Sequence, residues 1–414
     1  MTDRPRLESL AFFGLFSPKK SGMVDYSEDL AAELARAFRL VFYHAPGNEP
    51  SVAGRWGEVR PAADFRGAED LALFQICNNV DLSYQYDLVR RRGGVVTLHD
   101  EVLYDLVYGA CGARWGPYLR EILYNERLRG LRHLLAHPKL SRRRYAEQIR
   151  RNLLEHPDKR THFPCRRRIA SAADALVVHS GYLRDVVRQA NPRAPVRIIP
   201  HGVHAVDIPR TRDESRRQLG LARLGIGDRT FVCLSFGFIQ RHKRLAPAFA
   251  AFAAFRARHP DCHYLVIGPR DAEYSVDEDV ARFGLAGAVT VLDSYLPQEE
   301  VNEHVNAADL AFNLRWPTMG ASSGTLYKIL AVGRPAVVTN EGSFAEFPPS
   351  CVFRVDRDAR EVERFVEILE DLHAHPAKVE AMSAAARAFA AREFTWPAVG
   401  RAYAEWLREI HARR

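Results

Sequence analysis

The chain has 414 residues, of which 47% are hydrophobic and 27% charged, and its formal net charge is +8. This composition excludes a disordered chain, a collagen-like chain and a small disulfide-stapled protein, and the length predicts two or three domains of about 150 residues each. No apolar run reaches the roughly 20 residues that cross a bilayer, and the N-terminal stretch lacks a signal-peptide cleavage site. We therefore expect a cytoplasmic protein whose six isolated cysteines are core thiols.

The first half of the chain alternates short apolar runs with helical patterns. A helix is predicted from near Val24, and another begins at Ser180 and Gly181. The predicted strands are LAFFGLF (10–16), RLVFYHA, ALFQIC, GGVVTLHD, ALVVHS and VRIIPHGV. Continuous apolar strands separated by helices are typical of a parallel sheet in an α/β domain.

The second half repeats this alternation after a junction rich in Pro and Arg, DIPRTRDES. The predicted strands are TFVCLSFGFI (230–239), CHYLVIGP, VTVLDSY, LAFNLR and PAVVTN, and the chain ends in helices. Two such halves predict two doubly wound domains that face a cleft. In these sheets ligands bind beyond the carboxyl ends of the strands, so functional residues are expected there.

A basic segment interrupts the first half. Residues 114–168 contain 16 lysines and arginines against five acidic residues, on sequence with helical periodicity. Nucleic acid is disfavoured as a partner, because the segment lacks a zinc-finger, RNP-like or helix-turn-helix pattern. A solvated helical face, an anionic acceptor and a membrane surface stay open as interpretations.

The usual nucleotide motifs are missing, since the chain contains neither G-x-G-x-x-G after a strand nor a P-loop. The segment Gly320–Gly324 (GASSG) matches the serine hydrolase elbow, but WPTM separates it from the preceding strand, which disfavours a hydrolase. The same segment opens a helix, so its backbone N–H groups and serine hydroxyls could bind a phosphate. An ordinary helix cap is the alternative interpretation.

A second phosphate candidate follows the strand TFVCLS. The sequence FGFIQRHKR places the cations Arg241, His242 and Lys243 at a predicted helix start, where they oppose the helix dipole unless an anion lies among them. Both candidates follow strands of one sheet and could together bind one diphosphate.

Two further candidates lie in the first half. His99 ends a predicted strand, where it either faces the cleft and contacts substrate or is a satisfied buried histidine. The loop that contains Lys20, Ser21 and Gly22 precedes a helix and supplies N–H donors and positive charge.

With these motifs assembled, the chain resembles the retaining glycosyltransferases of family 4, which have the GT-B fold. The resemblance covers nearly the whole chain and is strongest in FGFIQRHKRL, LVIGP and VNAADLAFNLRWPTMGASSGTLYKILAVGRPAVVTNEGSFAEFP. It implies a Rossmann-like acceptor domain over 1–205 with a basic helical insertion at about 110–168. It also implies a Rossmann-like donor domain over 206–390 and a helix over 391–414 that crosses back.

The resemblance implies a nucleotide-sugar donor, retention of anomeric configuration, and neither a metal ion nor another cofactor. His99, Lys243 and Arg241 would be the catalytic residues, and Lys20, Ser21 and Gly22 would bind the acceptor. The residues implied to bind the donor are Gly237, Gly320, Ala321, Ser322, Ser323, Gly324, Thr325, Lys328 and Glu346. The acceptor is left open between a glycan, a lipid-linked or anionic group and a small molecule, with peripheral contact to the inner membrane face through residues 114–168.

The sequence departs from the family pattern at Ala321 and Lys328, near which relatives carry glutamates for the sugar and the ribose, and at Phe238, which replaces an arginine. Three outcomes follow for the sugar hydroxyl: the donor lacks it, Glu341 or Glu346 accepts its hydrogen bond, or no sugar is transferred. The last outcome corresponds to a non-catalytic sugar-nucleotide or glycan-binding protein.

Overall fold

The computed structural model describes residues 7–51, 53–112, 114–134 and 163–414. These residues form two compact units. The first contains the described residues up to Gly202 together with Met319–Ser322 and Trp396–Arg414, and the second contains Val203–Thr318 and Ser323–Thr395.

The first unit is built on a seven-stranded parallel sheet of order β3-β2-β1-β4-β5-β6-β7. The strands are β1 (Ser9–Phe13), β2 (Arg39–His44), β3 (Gly57–Pro61), β4 (Leu71–Ile76), β5 (Val95–Leu98), β6 (Ala175–Val178) and β7 (Val196–Ile198). Every residue of β1, β4, β5 and β6 is buried, as expected for parallel strands that are covered on both faces. The strand order reverses between β1 and β4, and this places the ends of β1, β4 and β5 side by side.

Helices connect these strands. They are α1 (Gly22–Leu34), α2 (Ser83–Arg92), α3 (Tyr104–Ala110), α4 (Trp115–Leu134), α5 (Arg167–Ala172) and α6 (Gly181–Ala190). Side chains cap the N-termini of α1 and α6, where Ser21 accepts from the Val24 amide and Ser180 from the Leu183 amide.

The second unit has a six-stranded parallel sheet of order β10-β9-β8-β11-β12-β13. The strands are β8 (Phe231–Phe236), β9 (Cys262–Ile267), β10 (Val289–Leu292), β11 (Leu310–Asn313), β12 (Ala336–Thr339) and β13 (Val352–Val355). The helices are α7 (Arg212–Gln218), α8 (Leu245–Arg256), α9 (Val276–Arg282), α10 (Gln298–Ala307), α11 (Gly324–Val332), α12 (Glu361–Ala374) and α13 (Pro376–Glu393).

The last helix, α14 (Trp396–Arg413), belongs to the first unit and packs against α1. Its Tyr403 hydroxyl lies 2.7 Å from the Tyr26 hydroxyl, and both side chains are buried. The packing is tight, because a Cβ added to Gly202 would lie 2.4 Å from the Trp396 ring.

The two predicted parallel α/β sheets are confirmed, and so are the buried free cysteines. The prediction was wrong in two respects. Several strands end earlier than predicted, β1 at Phe13 rather than residue 16, β7 at Ile198 rather than residue 203 and β8 at Phe236 rather than residue 239, and the edge strands β3 and β13 were not predicted. Edge strands bury less surface, and Gly57–Pro61 accordingly carries no continuous apolar run.

The predicted basic helical segment is described only in part. Helices α4 and α5 occupy its two ends, and residues 135–162 lie outside the described residues. Among the helices that the structure describes, none has the length and apolar character needed to cross a membrane.

Candidate active site

The loops after β8 and β9 contact each other through their backbones. Gly237 has φ +105° and Gly268 has φ +141°, values that side chains disfavour. A Cβ added to Gly268 would lie 2.4 Å from the Gly237 carbonyl oxygen. Both positions therefore require glycine, and the loop that contains the predicted donor-binding residue Gly237 is held close to the sheet.

Lys243 lies beside this loop, at the end of a short 3₁₀ turn over Arg241–Lys243. A Cβ added to Gly237 would lie 2.9 Å from the Lys243 Nζ atom, and Lys243 lines a small cavity with Ser235 and Asn313. No carboxylate of the described residues forms an ion pair with Lys243. Burial, and secondly the charge of Arg315, lower the pKa of Lys243 well below its ordinary value. Lys243 is thus a partly buried amine without a carboxylate partner among the described residues; we call it the cation site, because a bound anion would favour its protonated form.

The turn before α11 lies against the same glycine. A Cβ added to Gly237 would lie 2.8 Å from Thr325 Cγ2. The Ser323 hydroxyl caps α11 by accepting from the Leu326 amide at 3.3 Å and lies 2.9 Å from Thr325 Oγ1. Asn313 Nδ2 donates to Thr325 Oγ1 at 2.8 Å. The structure therefore brings Ser323–Thr325, the part of the first predicted phosphate segment that belongs to the second unit, against the loop that contains Gly237 and Lys243.

Arg315 was not singled out from the sequence. Its guanidinium donates to His242 Nε2 at 2.5 Å and lies 3.5 Å from the Ser323 hydroxyl, so it adds a second positive charge beside Lys243. The signal was available, because Arg315 follows β11 and β11 pairs with β8 in the predicted parallel sheet.

The remaining cations of this segment have other surroundings. The Arg241 side chain is exposed, and the Arg241 carbonyl accepts from the Arg244 amide at 3.1 Å. Arg244 has φ +54° and donates through both terminal nitrogens to the Glu361 carboxylate. The predicted helix start is wrong, because α8 begins only at Leu245 and the cations precede it on the 3₁₀ turn.

The other predicted donor-binding residues of the second unit lie around α11. Gly324 is its first residue, and Lys328 is half-buried in its second turn. Glu346 is exposed at the end of a 3₁₀ helix that follows β12.

The predicted residues Gly320, Ala321 and Ser322 belong to the first unit, where Gly320 lies against Glu101. The Glu101 amide donates to the Met319 carbonyl at 2.8 Å. Gly320 has φ +68°, and a Cβ added to it would lie 2.4 Å from Glu101 Cβ. The Ser322 hydroxyl is buried and has no hydrogen-bond partner within the described chain.

His99 follows β5 and is buried in a cluster of aromatic rings. Its Nε2 atom lies 2.9 Å from Gln75 Oε1, and its Nδ1 atom lies 3.1 Å from His179 Nε2. The Tyr26 ring meets it edge-on, with centroids 4.7 Å apart. Burial, and then the neighbours His179 and His201, lower the pKa of His99 well below its ordinary value. Protein groups thus engage both ring nitrogens, and the role of His99 toward substrate stays a prediction.

The predicted acceptor residues lie at the start of α1. Ser21 is its N-cap, Gly22 is exposed with open space where a Cβ would point, and Lys20 is exposed. Within the described ranges, no group of three or more His, Cys, Asp or Glu residues is arranged to hold a metal ion.

Part of the chain is similar to a known protein family. Residues 246–405 match the family model described as glycosyl transferase-like. A search of curated proteins finds no match.

Solved structures match over nearly the whole chain. Sucrose-phosphate synthase from Thermosynechococcus elongatus has a TM-score of 0.66 at 15% identity, over 98% of this chain and 100% of that one. WaaG, a glycosyltransferase involved in lipopolysaccharide biosynthesis, gives 0.60 at 16% identity, over 96% and 99%. Anabaena HepE in complex with UDP-glucose gives 0.58 at 14%, over 97% and 99%. The chain therefore has the predicted GT-B fold, and residues 246–405 are similar to the glycosyl transferase-like family.

Proposed function

We propose that this protein is a retaining glycosyltransferase, of the family 4 type, that transfers a sugar from a nucleotide-sugar donor without a metal ion. The observation that carries this proposal is the cation site at Lys243. Its amino group has no carboxylate partner among the described residues and lies with Arg315 beside the N-terminus of α11. The match to a glycosyl transferase-like family supports it, as do the complexes of HepE with UDP and UDP-glucose.

The chemistry of the transfer explains why such a site is needed. The bond between the sugar's anomeric carbon and the diphosphate oxygen breaks, and a bond to the acceptor oxygen forms as the acceptor hydroxyl loses its proton. Negative charge grows on the leaving diphosphate. Lys243, Arg315 and the N–H groups at the start of α11 would stabilise this charge because they are in place before reaction.

The other predicted residues complete the proposal. Residues 206–390 bind the donor through Lys243, Arg241 and the turn Gly320–Thr325. Residues 1–205, with the helix over 391–414, bind the acceptor near Lys20, Ser21 and Gly22, and His99 faces the transferred sugar. The acceptor is lipid-linked or otherwise anionic, and the basic residues of 114–168 bring this cytoplasmic enzyme to it.

One observation favours a second function. The segment Trp316–Thr325 contains no acidic residue, since Ala321 stands in the turn that would hold the sugar. A protein without that carboxylate could bind sugar nucleotides and no longer transfer sugar. Turnover separates the two functions.

The test combines calorimetry with turnover. UDP, GDP and ADP and their hexose conjugates are titrated into the protein, and release of diphosphate from each conjugate is then followed. A hydrogen bond to a charged group contributes about 1.5–3 kcal/mol, so Lys243→Ala should weaken diphosphate binding at least about tenfold. Lys378→Ala is the matched control, because Lys378 lies on α13 of the same unit and is paired with Asp371.

Each part of the proposal has its own contradicting outcome. Unchanged diphosphate affinity in folded Lys243→Ala protein would show that Lys243 does not bind the donor. Binding of sugar nucleotides without turnover of any donor would show that the protein is the non-catalytic binding protein. Inversion at the anomeric carbon, read by NMR of the product, would contradict the retaining mechanism, and loss of turnover on adding EDTA would contradict metal independence.

A further inference from the structure

The turn at Gly320 and Ala321 has no carboxylate side chain of its own that could accept hydrogen bonds from a sugar. Sugar hydroxyls that leave water need acceptors, and an unpaired buried hydroxyl is unfavourable. The turn's sequence, WPTMGASSGT, offers no carboxylate. The structure, however, packs a carboxylate from another part of the first unit against this turn.

That carboxylate is Glu101, which lies two residues after His99 at the end of β5. Its amide donates to the Met319 carbonyl. A Cβ added to Gly320 would lie 3.1 Å from Glu101 Oε2, so this oxygen lies against the turn. The positive φ of Gly320 and the missing side chain allow this approach.

Two side chains hold the Glu101 carboxylate in place. Arg166 Nη1 donates to Oε1 at 2.8 Å, and the Tyr182 hydroxyl donates to Oε2 at 2.6 Å. A carboxylate offers about four acceptor positions, and these two bonds use two of them. The side chain is still 19% exposed. Glu101 is therefore oriented, with acceptor capacity left for a ligand.

We infer that Glu101 is a specificity-determining residue that accepts hydrogen bonds from hydroxyls of the donor sugar at the Gly320–Ala321 turn. This inference rests on the proposed function, because it assigns the sugar part of the same donor. It gives Glu101 the role for which the sequence offered Glu341 or Glu346.

The test compares a sugar nucleotide with its bare diphosphate. The affinities of UDP-glucose and UDP, or of the GDP or ADP pair that binds best, are measured on the unchanged protein and on Glu101→Gln. The variant keeps the size of the side chain but replaces one acceptor oxygen with a donor. We expect diphosphate affinity within twofold of the original and a fall of tenfold or more in the preference for the sugar nucleotide.

The chain offers a closely matched control. The Glu121 carboxylate is also held by a tyrosine and an arginine, accepting from the Tyr86 hydroxyl at 2.6 Å and from Arg168 Nε at 2.5 Å. Glu121→Gln should lower stability as Glu101→Gln does, but leave the preference unchanged. Should Glu101→Gln fail to fold, Tyr182→Phe removes the hydrogen bond that orients Glu101 Oε2 and should lower the preference by a smaller factor.

The outcomes separate the two proposals. An unchanged preference in folded Glu101→Gln or Tyr182→Phe would overturn the role of Glu101 and leave the proposed function standing. A loss of diphosphate affinity equal to the loss for the sugar nucleotide would also overturn it, because the residue would then act on the phosphate or on folding. Failure of every diphosphate to bind the unchanged protein would contradict the proposed function and the inference with it.

Discussion

The ends of β5 in the first sheet and β8 in the second both lead into residues that the sequence marks as functional, but their surroundings are opposite. After β5, His99 is enclosed by aromatic rings, and Gln75 and His179 engage both of its ring nitrogens. After β8, Lys243 has no ion-pair partner in the part of the chain that the structure describes. Burial lowers the pKa of both groups.

This difference separates a satisfied polar group from an unsatisfied one. A buried group whose hydrogen bonds are made contributes to stability, whereas a buried cation without a counter-charge destabilises the free protein. The second arrangement persists most readily where a ligand supplies the missing charge. The comparison therefore predicts opposite responses to substitution and to pH.

The largest expected effect is on stability at His99. His99→Ala removes two buried hydrogen-bonding nitrogens and the contact with Tyr26, and should lower the free energy of unfolding by about 3 kcal/mol. Lys243→Ala should leave the free energy of unfolding unchanged or raise it, because a desolvated charge is lost. Urea unfolding measures both. Equal destabilisation by the two variants would contradict the distinction between a satisfied group at His99 and an unsatisfied one at Lys243.

A smaller effect is expected from acid on the histidine cluster. Burial lowers the pKa of His179 to about 4, while its Nδ1 atom donates to the Ile199 carbonyl. The unfolded chain has an ordinary pKa near 6.5 and binds the proton more tightly, so stability falls as the pH drops from about 6.5 toward 4. We expect about 2 kcal/mol to be lost between pH 7 and pH 5.

Comparison of urea unfolding at the two pH values in His179→Gln, which cannot titrate, isolates this contribution. The variant should lose less stability on acidification than the original protein. An identical loss in both would show that other groups cause the acid response.

The smallest effect is proton uptake at Lys243. A bound diphosphate would raise the lowered pKa of Lys243, so binding should take up a proton. The affinity for the diphosphate should then fall by up to about tenfold per pH unit as the pH rises above the pKa that Lys243 has in the free protein. Calorimetry in two buffers of different ionisation enthalpy measures this uptake above about pH 7.5, where the diphosphate is ionised. Uptake that persists in Lys243→Ala would assign it to another group.

Much of the candidate site around Lys243 was predictable from local sequence. Lys243, Gly237 and the turn before α11 all follow strands whose apolar runs are plain, and the order of a parallel sheet brings such ends together. Arg315 follows the same rule and could have been included. The pairing of Arg244 with Glu361 could not be predicted, because 117 residues separate them and exposed and paired arginines look alike in sequence.

The residues that surround His99 also could not be predicted from the sequence near it. Its partners Gln75, His179 and Tyr26 come from β4, the end of β6 and α1, and only tertiary packing places them around one ring. Glu101 was missed for the same reason, since nothing near it in sequence indicates Arg166, Tyr182 or Gly320. A strand pattern predicts where a residue lies in a sheet, not which side chains satisfy it.

The return of α14 to the first unit has a consequence for the order of folding. Trp396, Tyr403 and Leu407 complete a core cluster with Leu10 and Phe12 of β1. During synthesis these helix residues leave the ribosome after all of Val203–Thr395. The second unit can therefore reach its native core while the first, although begun earlier, still exposes the apolar surface that α14 will cover. Domains usually fold in the order of their synthesis; here the unit that begins first is the last to be completed.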